Sequence, residues 1–362
     1  MILPSTYAVA LLLMILTMLC WGSWANTFKL AGKWRFELFY YDYAIGVLLM
    51  AIVVGLTFGS MGDKLLTFVD DISVAGKQKI AYGLAGGVVF NLANMLLVAA
   101  ISVAGMAVAF PVGIGLALII GVVWNYILEP QGNPILLGAG VVVILGAIVV
   151  DAIAYQRNSS RAAAEDAAAA AAEDSKSETK VKKGPSKKKK ATKGIVLSLI
   201  SGVLMGSFYP LVQMGREGGV GYGLGPYAIA FVFAIGVFLS TLIFNLYFLN
   251  LPVQGKPIPM SAYFQGTVKQ HLLGIAGGAI WCAGAIANFV ASEQSQEVRV
   301  GPAASYAFGQ GATMVSALWG LLLWKEFAGA TKNVRMLLAL MLILFIGGLA
   351  LISLAPVVGT AR

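Results

Sequence analysis

The hydrophobic pattern divides the chain into ten long apolar segments separated by short polar ones. These segments lie near residues 6–26, 38–60, 80–100, 103–127, 135–155, 194–214, 226–249, 272–292, 303–323 and 335–355. Each reaches the roughly 20 residues that a helix needs to cross the hydrocarbon core of a bilayer. Their apolar positions run on continuously instead of alternating as in a barrel strand. The pattern therefore predicts an all-α membrane protein with ten transmembrane helices.

The ten segments form two similar sets of five. The glycine motif at residues 83–87, followed by Pro111, recurs at residues 274–278, followed by Pro302, with every position displaced by 191 residues. Because five is an odd number, two such sets in series enter the membrane in opposite orientations. The sequence thus predicts two inverted five-helix repeats, an arrangement typical of secondary transporters.

A charged segment, residues 156–193, separates the first repeat (1–155) from the second (194–362). It is rich in Ala, Glu and Lys and holds eleven of the 25 Lys and Arg residues. Such a composition predicts a linker that is disordered or loosely helical. The formal charge of +9 is thus concentrated where it can attract anionic lipid, and it does not indicate a nucleic-acid partner. The positive-inside rule places the linker in the cytoplasm and both termini outside.

Composition supports the membrane assignment and excludes several classes of function. Charged residues make up 11% of the chain, against roughly 25% in soluble domains. Cys20 and Cys282 lie in apolar segments and indicate packing, and the single histidine, His271, is expected at a membrane interface. The sequence contains no catalytic triad, metal cluster or phosphate loop. We therefore expect neither an enzyme nor a bound cofactor or metal.

Polar side chains within the spans are the best pointers to a binding site, because each is costly unless it faces the interior or a wet cavity. The candidate solute-binding residues are Trp21, Ser23, Trp24, Asn26, Asn91, Asn94, Asn125, Tyr209, Gln213, Asn288, Tyr306 and Gln310. This neutral set suits a polar uncharged solute, whereas a phosphorylated one would need embedded Arg or Lys. The alternative is that the tryptophans belong to an interfacial belt and that the asparagines hold helices together, at ~0.6 kcal/mol each.

Asp42 and Glu37 are the candidates for proton coupling. Asp42 is flanked by tyrosines in the second span, and a carboxyl group in such a place can take up and release a proton. It lies only about 9 Å past the basic flank at residues 33–35, so solvation or pairing at the membrane edge is the alternative. Glu37, one turn nearer that flank, is more typical of an interface. Asp151, at the end of the fifth span, is expected to be solvated or capping.

Several short motifs resemble those of the ureide permease family. They are Gly22-Ser23-Trp24, Tyr41-Asp42-Tyr43, Gly86-Gly87 followed by Asn94, and Asn125-Tyr126. The resemblance implies membership of the drug/metabolite transporter superfamily, alongside bacterial glucose, ribose and rhamnose porters. It also implies proton-coupled uptake of ureides such as allantoin, or of nucleobase-like compounds, across a bacterial inner membrane. Its implied pathway residues are Ser23, Trp24, Asp42, Asn94 and Asn125. Plant members carry a phosphate-loop-like motif in the central loop, and this chain does not.

Three other functions fit parts of the pattern. A sugar uptake permease of the same architecture shares the Trp-Gly-Ser opening at residues 21–23. A multidrug or metabolite exporter would have the same spans. A membrane sensor or scaffold would use the linker as its working part. The sequence favours a secondary active transporter that imports a small polar uncharged solute with protons by alternating access.

Overall fold

A computed structural model describes residues 1–62, 67–104, 106–173, 187–216, 222–252, 256–293 and 300–359. This part of the chain is helical, apart from a single isolated bridge between Ala75 and Tyr222. The all-α class predicted from the hydrophobic pattern is confirmed.

The first half of the chain contains seven helices in its described residues. They are α1 (Tyr7–Ser23), α2 (Ala25–Leu30), α3 (Phe36–Leu56), α4 (Phe68–Val74), α5 (Lys77–Ala104), α6 (Met106–Leu128) and α7 (Pro134–Glu173). The described second half contains six α-helices and a short 3-10 helix at Met260–Gln265. The α-helices are α8 (Lys187–Arg216), α9 (Pro226–Asn250), α10 (Val268–Ala291), α11 (Pro302–Gly309), α12 (Ala312–Leu322) and α13 (Lys332–Gly359).

Eight stretches of helix in the described residues are long and apolar enough to cross a membrane. They lie in α1 with α2, and in α3, α5, α7, α8, α9, α10 and α13. Eight of the ten predicted spans therefore appear as helices of sufficient length, and the chain is a multi-pass membrane protein.

The ninth predicted span takes another form, whereas the fourth is helix α6, which runs for 23 residues through Met106–Leu128. The ninth is divided into α11 and α12 by a break at Gln310 and Gly311. Glycine on both sides of Gln310 explains the break, because glycine loses more backbone freedom in a helix than any other residue.

The central charged segment is helical in its described parts. Helix α7 continues to Glu173, well past the end of the apolar stretch, and α8 begins at Lys187. The linker was expected to be disordered or loosely helical over residues 156–193, and its described residues take the helical form. The reason is the alanine content of this segment, since alanine has the highest helix propensity. Residues 174–186 lie outside the described part of the chain.

Glycines allow the central helices to pack backbone against backbone. Helix α5 packs against α8 and α9, and α10 packs against α1 and α3. A Cβ atom on Gly87 of α5 would overlap the carbonyl oxygen of Phe233 in α9, and one on Gly278 of α10 would overlap that of Tyr43 in α3. Small residues are needed at such points because no hydrophobic force drives helices together in lipid. The predicted glycine motifs are therefore packing sites.

Candidate solute-binding site

The central helices enclose a cavity of about 410 Å³, which is in the range of small-molecule sites. It is lined by residues of α1, α2, α5, α7, α8, α10, α11 and α12, with Phe36 from α3 and Ile114 from α6. Tyr155 of the lining bonds to Glu326, which also pairs with Lys29 at the end of α2, and α7 continues from Tyr155 toward the linker. The cavity therefore occupies the linker-side half of the protein.

Aromatic side chains form much of the cavity wall. They are Trp21, Trp24, Phe28, Phe36, Phe90, Phe208, Trp281 and Tyr306. The rings of Trp21 and Trp281 stack at a centroid distance of 5.9 Å and an angle of 9°. Phe90 stacks on Trp281 at 4.3 Å and 29°. Such a wall offers flat apolar faces against which a planar solute can stack.

Neutral polar groups and one carboxyl group complete the lining. They belong to Asn94, Asp151, Tyr155, Gln310, Thr313 and Ser316. The Nδ2 of Asn94 donates to the hydroxyl of Tyr40 at 3.0 Å, which fixes its orientation. Among the described residues that line the cavity, none is Lys or Arg. The site therefore suits an uncharged or cationic solute better than an anionic one.

Five predicted solute-binding residues line this cavity. They are Trp21, Trp24, Asn94, Tyr306 and Gln310. The Nε1 of Trp21 donates to the carbonyl oxygen of Trp281 at 3.2 Å, and the hydroxyl of Tyr306 donates to the carbonyl oxygens of Ala117 and Met205. These bonds hold the two rings in place from three other helices, α6, α8 and α10.

Ser23 and Asn26 lie beside the cavity and are bonded to two tryptophans near the end of the ninth span. The Nε1 of Trp319 donates to Ser23 Oγ at 2.8 Å, and the Nε1 of Trp324 donates to Asn26 Oδ1 at 2.6 Å. Both polar side chains therefore attach the α1–α2 region to the region around α12.

Three predicted asparagines lie outside the cavity lining. Asn91 donates to the hydroxyls of Ser240 and Thr241, at 2.8 and 3.0 Å, and thereby joins α5 to α9. Asn288 donates to the carbonyl oxygen of Ser305 at 3.1 Å and joins α10 to α11, whereas Asn125 donates to a carbonyl oxygen in its own helix. The bonds of Asn91 and Asn288 are of the interhelical kind that the alternative describes.

Tyr209 and Gln213 lie on α8 between the cavity and the surface opposite the linker. The hydroxyl of Tyr209 donates to Ser292 Oγ at 3.1 Å, and Gln213 donates to Glu129 Oε2 at 2.6 Å. Arg216, one turn further along α8, forms an ion pair with Glu293 and is itself buried. This group of polar contacts closes the bundle on the side away from the linker.

Asp42 lies outside the cavity lining and has two partners. Its side chain is buried at 1% exposure, with Oδ1 accepting from the Tyr263 hydroxyl at 2.6 Å and Oδ2 lying 2.8 Å from His271 Nδ1. Burial, reinforced by the bond to Asp42, raises the pKa of Tyr263, so its phenol stays a donor. Glu37 pairs with Arg35 at 2.6 Å near the membrane edge. Both contacts match the alternative of pairing near the basic flank.

Sequence reasoning missed Asp151 as a residue of the cavity. Its side chain is 7% exposed, it lines the cavity, and its Oδ1 has no hydrogen-bond partner in the described part of the chain. The sequence placed it at a span end because the apolar stretch stops near residue 155. Helix α7 continues for more than four turns beyond that point, so Asp151 lies inside the bundle. The helix-forming alanines at 162–172 were the available signal.

The span-length helices and the enclosed cavity define a multi-pass membrane protein with an internal site of small-molecule size. The chain belongs to the ureide permease family, since the profile of that family matches residues 39–196 and 186–355. The family consists of permeases, so this chain is a membrane transporter and not an enzyme, as the sequence predicted.

Curated relatives match nearly the whole chain. Ureide permease 1 of Arabidopsis thaliana is 26% identical over 95% of this chain and 96% of its own length. Ureide permease 2 of the same plant is 25% identical over 95% of this chain and 96% of its own length. A protein of known crystal structure shares the fold of this chain with a TM-score of 0.59. It is 17% identical and covers 98% of this chain and 99% of its own.

Proposed function

We propose that this transporter imports a ureide, or a similar planar uncharged compound, together with protons. The observation that carries the proposal is the aromatic cavity, whose described lining holds neutral polar groups and one carboxyl group without Lys or Arg. Flat ureide rings can stack on such walls, and their N–H and C=O groups can bond to Asn94, Tyr155 and Gln310. The names of the curated relatives favour the same class of solute.

We further propose that the two halves are inverted repeats of five spans each, joined by the linker. Matched glycines in the two halves make matched backbone contacts, which supports this arrangement. Gly46 lies against Ile275 and Gly236 against Leu84, while Gly278 lies against Tyr43 and Gly87 against Phe233. The contact of Gly46 in the first half therefore corresponds to that of Gly236 in the second. The contact of Gly87 corresponds in the same way to that of Gly278. Gly140 of α7 and Gly348 of α13 likewise contact each other reciprocally.

Two matched polar contacts support alternating access between these halves. Near the linker side, Lys29 at the end of α2 forms an ion pair with Glu326, which follows α12. On the opposite side, Gln213 at the end of α8 donates to Glu129, which follows α6. Each contact joins one half of the chain to the other at one end of the bundle. In the proposed cycle, each contact would close the entrance at its own end. Both contacts are formed in this structure, so the proposed cycle opens each entrance by breaking the contact on that side.

The remaining assignments of the site and topology are part of this proposal. The cavity residues Trp21, Trp24, Asn94, Tyr306 and Gln310 would contact the solute, and Ser23 with Asn26 would position them. The sequence-based assignment of proton coupling to Asp42 and Glu37 stays a prediction. The linker would be cytoplasmic in a bacterial inner membrane, by the positive-inside rule and the short loops.

Uptake by a bacterial strain without its own carriers for these compounds tests the proposed function. We expect saturable accumulation of labelled allantoin, or of labelled uracil, that collapses when a protonophore dissipates the proton gradient. Saturable uptake of labelled glucose alone would favour the sugar permease and contradict this proposal. Drug resistance on overexpression, with no uptake of any of the three compounds, would favour an exporter. The empty vector and the Trp21→Ala variant serve as controls for passive entry.

A further inference from the structure

We propose that Asp151 holds the transported proton, and that its neutral carboxyl group pairs with the N–H and C=O edge of the solute. The inference rests on the proposed function, because it assigns recognition and coupling to one group of that site. Asp151 is the one carboxyl group among the described residues that line the cavity, and it shares that lining with the aromatic side chains.

The surroundings of Asp151 disfavour the ionised form of its carboxyl group. Its Oδ1 is buried without a hydrogen-bond partner among the described residues. The other titratable side chains of the lining are the phenols of Tyr155 and Tyr306, and neither can supply a positive charge. The nearby cation, Lys29, is paired with Glu326, whose Oε2 also accepts from the Tyr155 hydroxyl at 2.9 Å. A buried carboxylate with no cation is costly, whereas a neutral acid is not.

The helices packed against α7, which are α6 and α13, add no charged residue to the described lining of the cavity. Helix α6 contributes only Ile114 to the described lining, and α13 contributes none of its residues. The charges of Arg157 and Arg161 lie further along α7, where Arg161 donates to the carbonyl oxygens of Gly329 and Ala328. Protonation is therefore the available way to neutralise Asp151 in the cavity.

A neutral carboxyl group is complementary to a ureide. Its O–H can donate to the C=O of the solute while its own C=O accepts from the adjacent N–H, which gives two parallel hydrogen bonds. An ionised carboxylate offers only acceptors and would be repelled by the solute C=O. Binding therefore requires the proton, and the proton leaves when the solute leaves and the site opens to water. This linkage makes transport a symport.

Substitution by asparagine provides a sharp test, because its amide also donates and accepts but cannot release a proton. The full-length protein is reconstituted in liposomes, and uptake of labelled allantoin is compared with and without an imposed pH gradient. We expect Asp151→Asn to retain exchange of internal and external allantoin within about threefold of wild type. Its accumulation under the gradient should fall to the level of simple equilibration. Asp151→Leu should lose exchange by tenfold or more.

Three further measurements decide between outcomes. Allantoin binding to wild type should weaken up to ~10-fold per pH unit above the titration of the carboxyl group, while binding to Asp151→Asn should not change with pH. Hydantoin should compete with allantoin, and 1,3-dimethylhydantoin, which lacks the N–H groups, should not. Asp70→Asn makes the same chemical change at an exposed carboxyl group of α4 and should behave as wild type.

The failures of the two proposals are distinguishable. If wild type neither binds nor exchanges any of these compounds, the proposed function is wrong. If wild type accumulates allantoin and Asp151→Asn does so equally, the function stands and the inference about Asp151 is overturned. Should the variants fail to fold, as judged by size-exclusion chromatography, pH-independent binding of allantoin to wild type would overturn it equally well.

Discussion

The two halves of the molecule share a packing frame but differ in chemistry. The frame is seen in Gly87 and Gly278, which let α5 approach α9 and α10 approach α3 by the same kind of backbone contact. The chemistry differs at the neighbouring glycines. Gly274 packs against the Cβ of Asp42, whereas Gly83 packs against Val232. The glycines that set the helix packing are thus repeated in both halves, whereas the carboxyl group of Asp42 occurs in the first half alone at this position.

The same contrast holds at the two ends of the bundle. Near the linker the contact is an ion pair between Lys29 and Glu326, with side-chain exposures of 43% and 33%. At the opposite end Gln213 donates to Glu129 without a formal positive charge, while the buried Arg216 supplies the ion pair one turn away. Under the alternating access proposed above, a common geometry with unequal charges would make one entrance close more firmly than the other.

Alanine substitutions at the two frame glycines should have the largest effect. Gly87→Ala and Gly278→Ala each place a Cβ atom onto a carbonyl oxygen, so backbones must separate, at a cost of about 3 kcal/mol or more in the free energy of unfolding. Thermal unfolding in detergent measures both. Gly347→Ala is the matched control, because nothing lies within 4 Å of its Cβ position, and it should be neutral or slightly stabilising. A large loss at only one of the two frame glycines would contradict the shared frame.

Removal of the Asp42 carboxyl group should have a smaller, mainly structural effect. Asp42→Leu leaves the hydroxyl of the half-buried Tyr263 and one nitrogen of the half-buried His271 without their partner, which should cost up to about 2 kcal/mol. Asp42→Asn retains an acceptor and a donor and should cost less. We expect Asp42→Asn to retain accumulation of allantoin under a pH gradient, measured in liposomes. Loss of accumulation with exchange retained would instead assign proton coupling to Asp42, as its place in the second span predicted.

The sequence predicted most span helices and their glycine contacts, because both depend on residues that are close together in the chain. Apolar length identified eight spans, and the glycine motifs at residues 83–87 and 274–278 lie at the contacts that matched halves require. The break around Gln310, which divides the ninth span, was not foreseen. A hydropathy pattern reports average polarity and does not report where a helix is interrupted.

The site was only partly predictable, because a polar residue in a span has two uses that look alike in sequence. Asn91 and Asn94 lie on one face of α5, yet Asn94 reaches the cavity and Asn91 joins α9. Asp42 and Asp151 both belong to span helices, and the tertiary neighbours decide their surroundings. Tyr263 and His271 lie more than 200 residues from Asp42 in the chain, so no local pattern could reveal that they pair with it.

A glutamine at position 29 would make the linker-side contact with Glu326 resemble the contact of Gln213 with Glu129 at the opposite end. We expect a modest shift in the equilibrium between the closed and open forms of the linker-side entrance. Lys29→Gln removes the ion pair with Glu326, which is partly exposed and so is worth up to about 1 kcal/mol. We expect the linker-side entrance to open more often, by up to about fivefold. The measurement is the rate at which a cysteine introduced at Ser316 reacts with a maleimide. Lys29→Arg should react as wild type does, and an unchanged rate in Lys29→Gln would show that this contact does not close the entrance.

The smallest effect is expected from the linker, which has no counterpart in either half. Replacing residues 165–186 by a Gly/Ser segment of equal length preserves the reach between α7 and α8 and spares Arg161, which bonds to the segment after α12. Because the cavity and both end contacts lie outside the replaced residues, we expect allantoin uptake to stay within about twofold of wild type. Uptake per folded molecule is the measure, with expression determined separately. A complete loss of uptake with normal folding would show that the linker acts in the transport cycle, which is what the sensor or scaffold alternative requires.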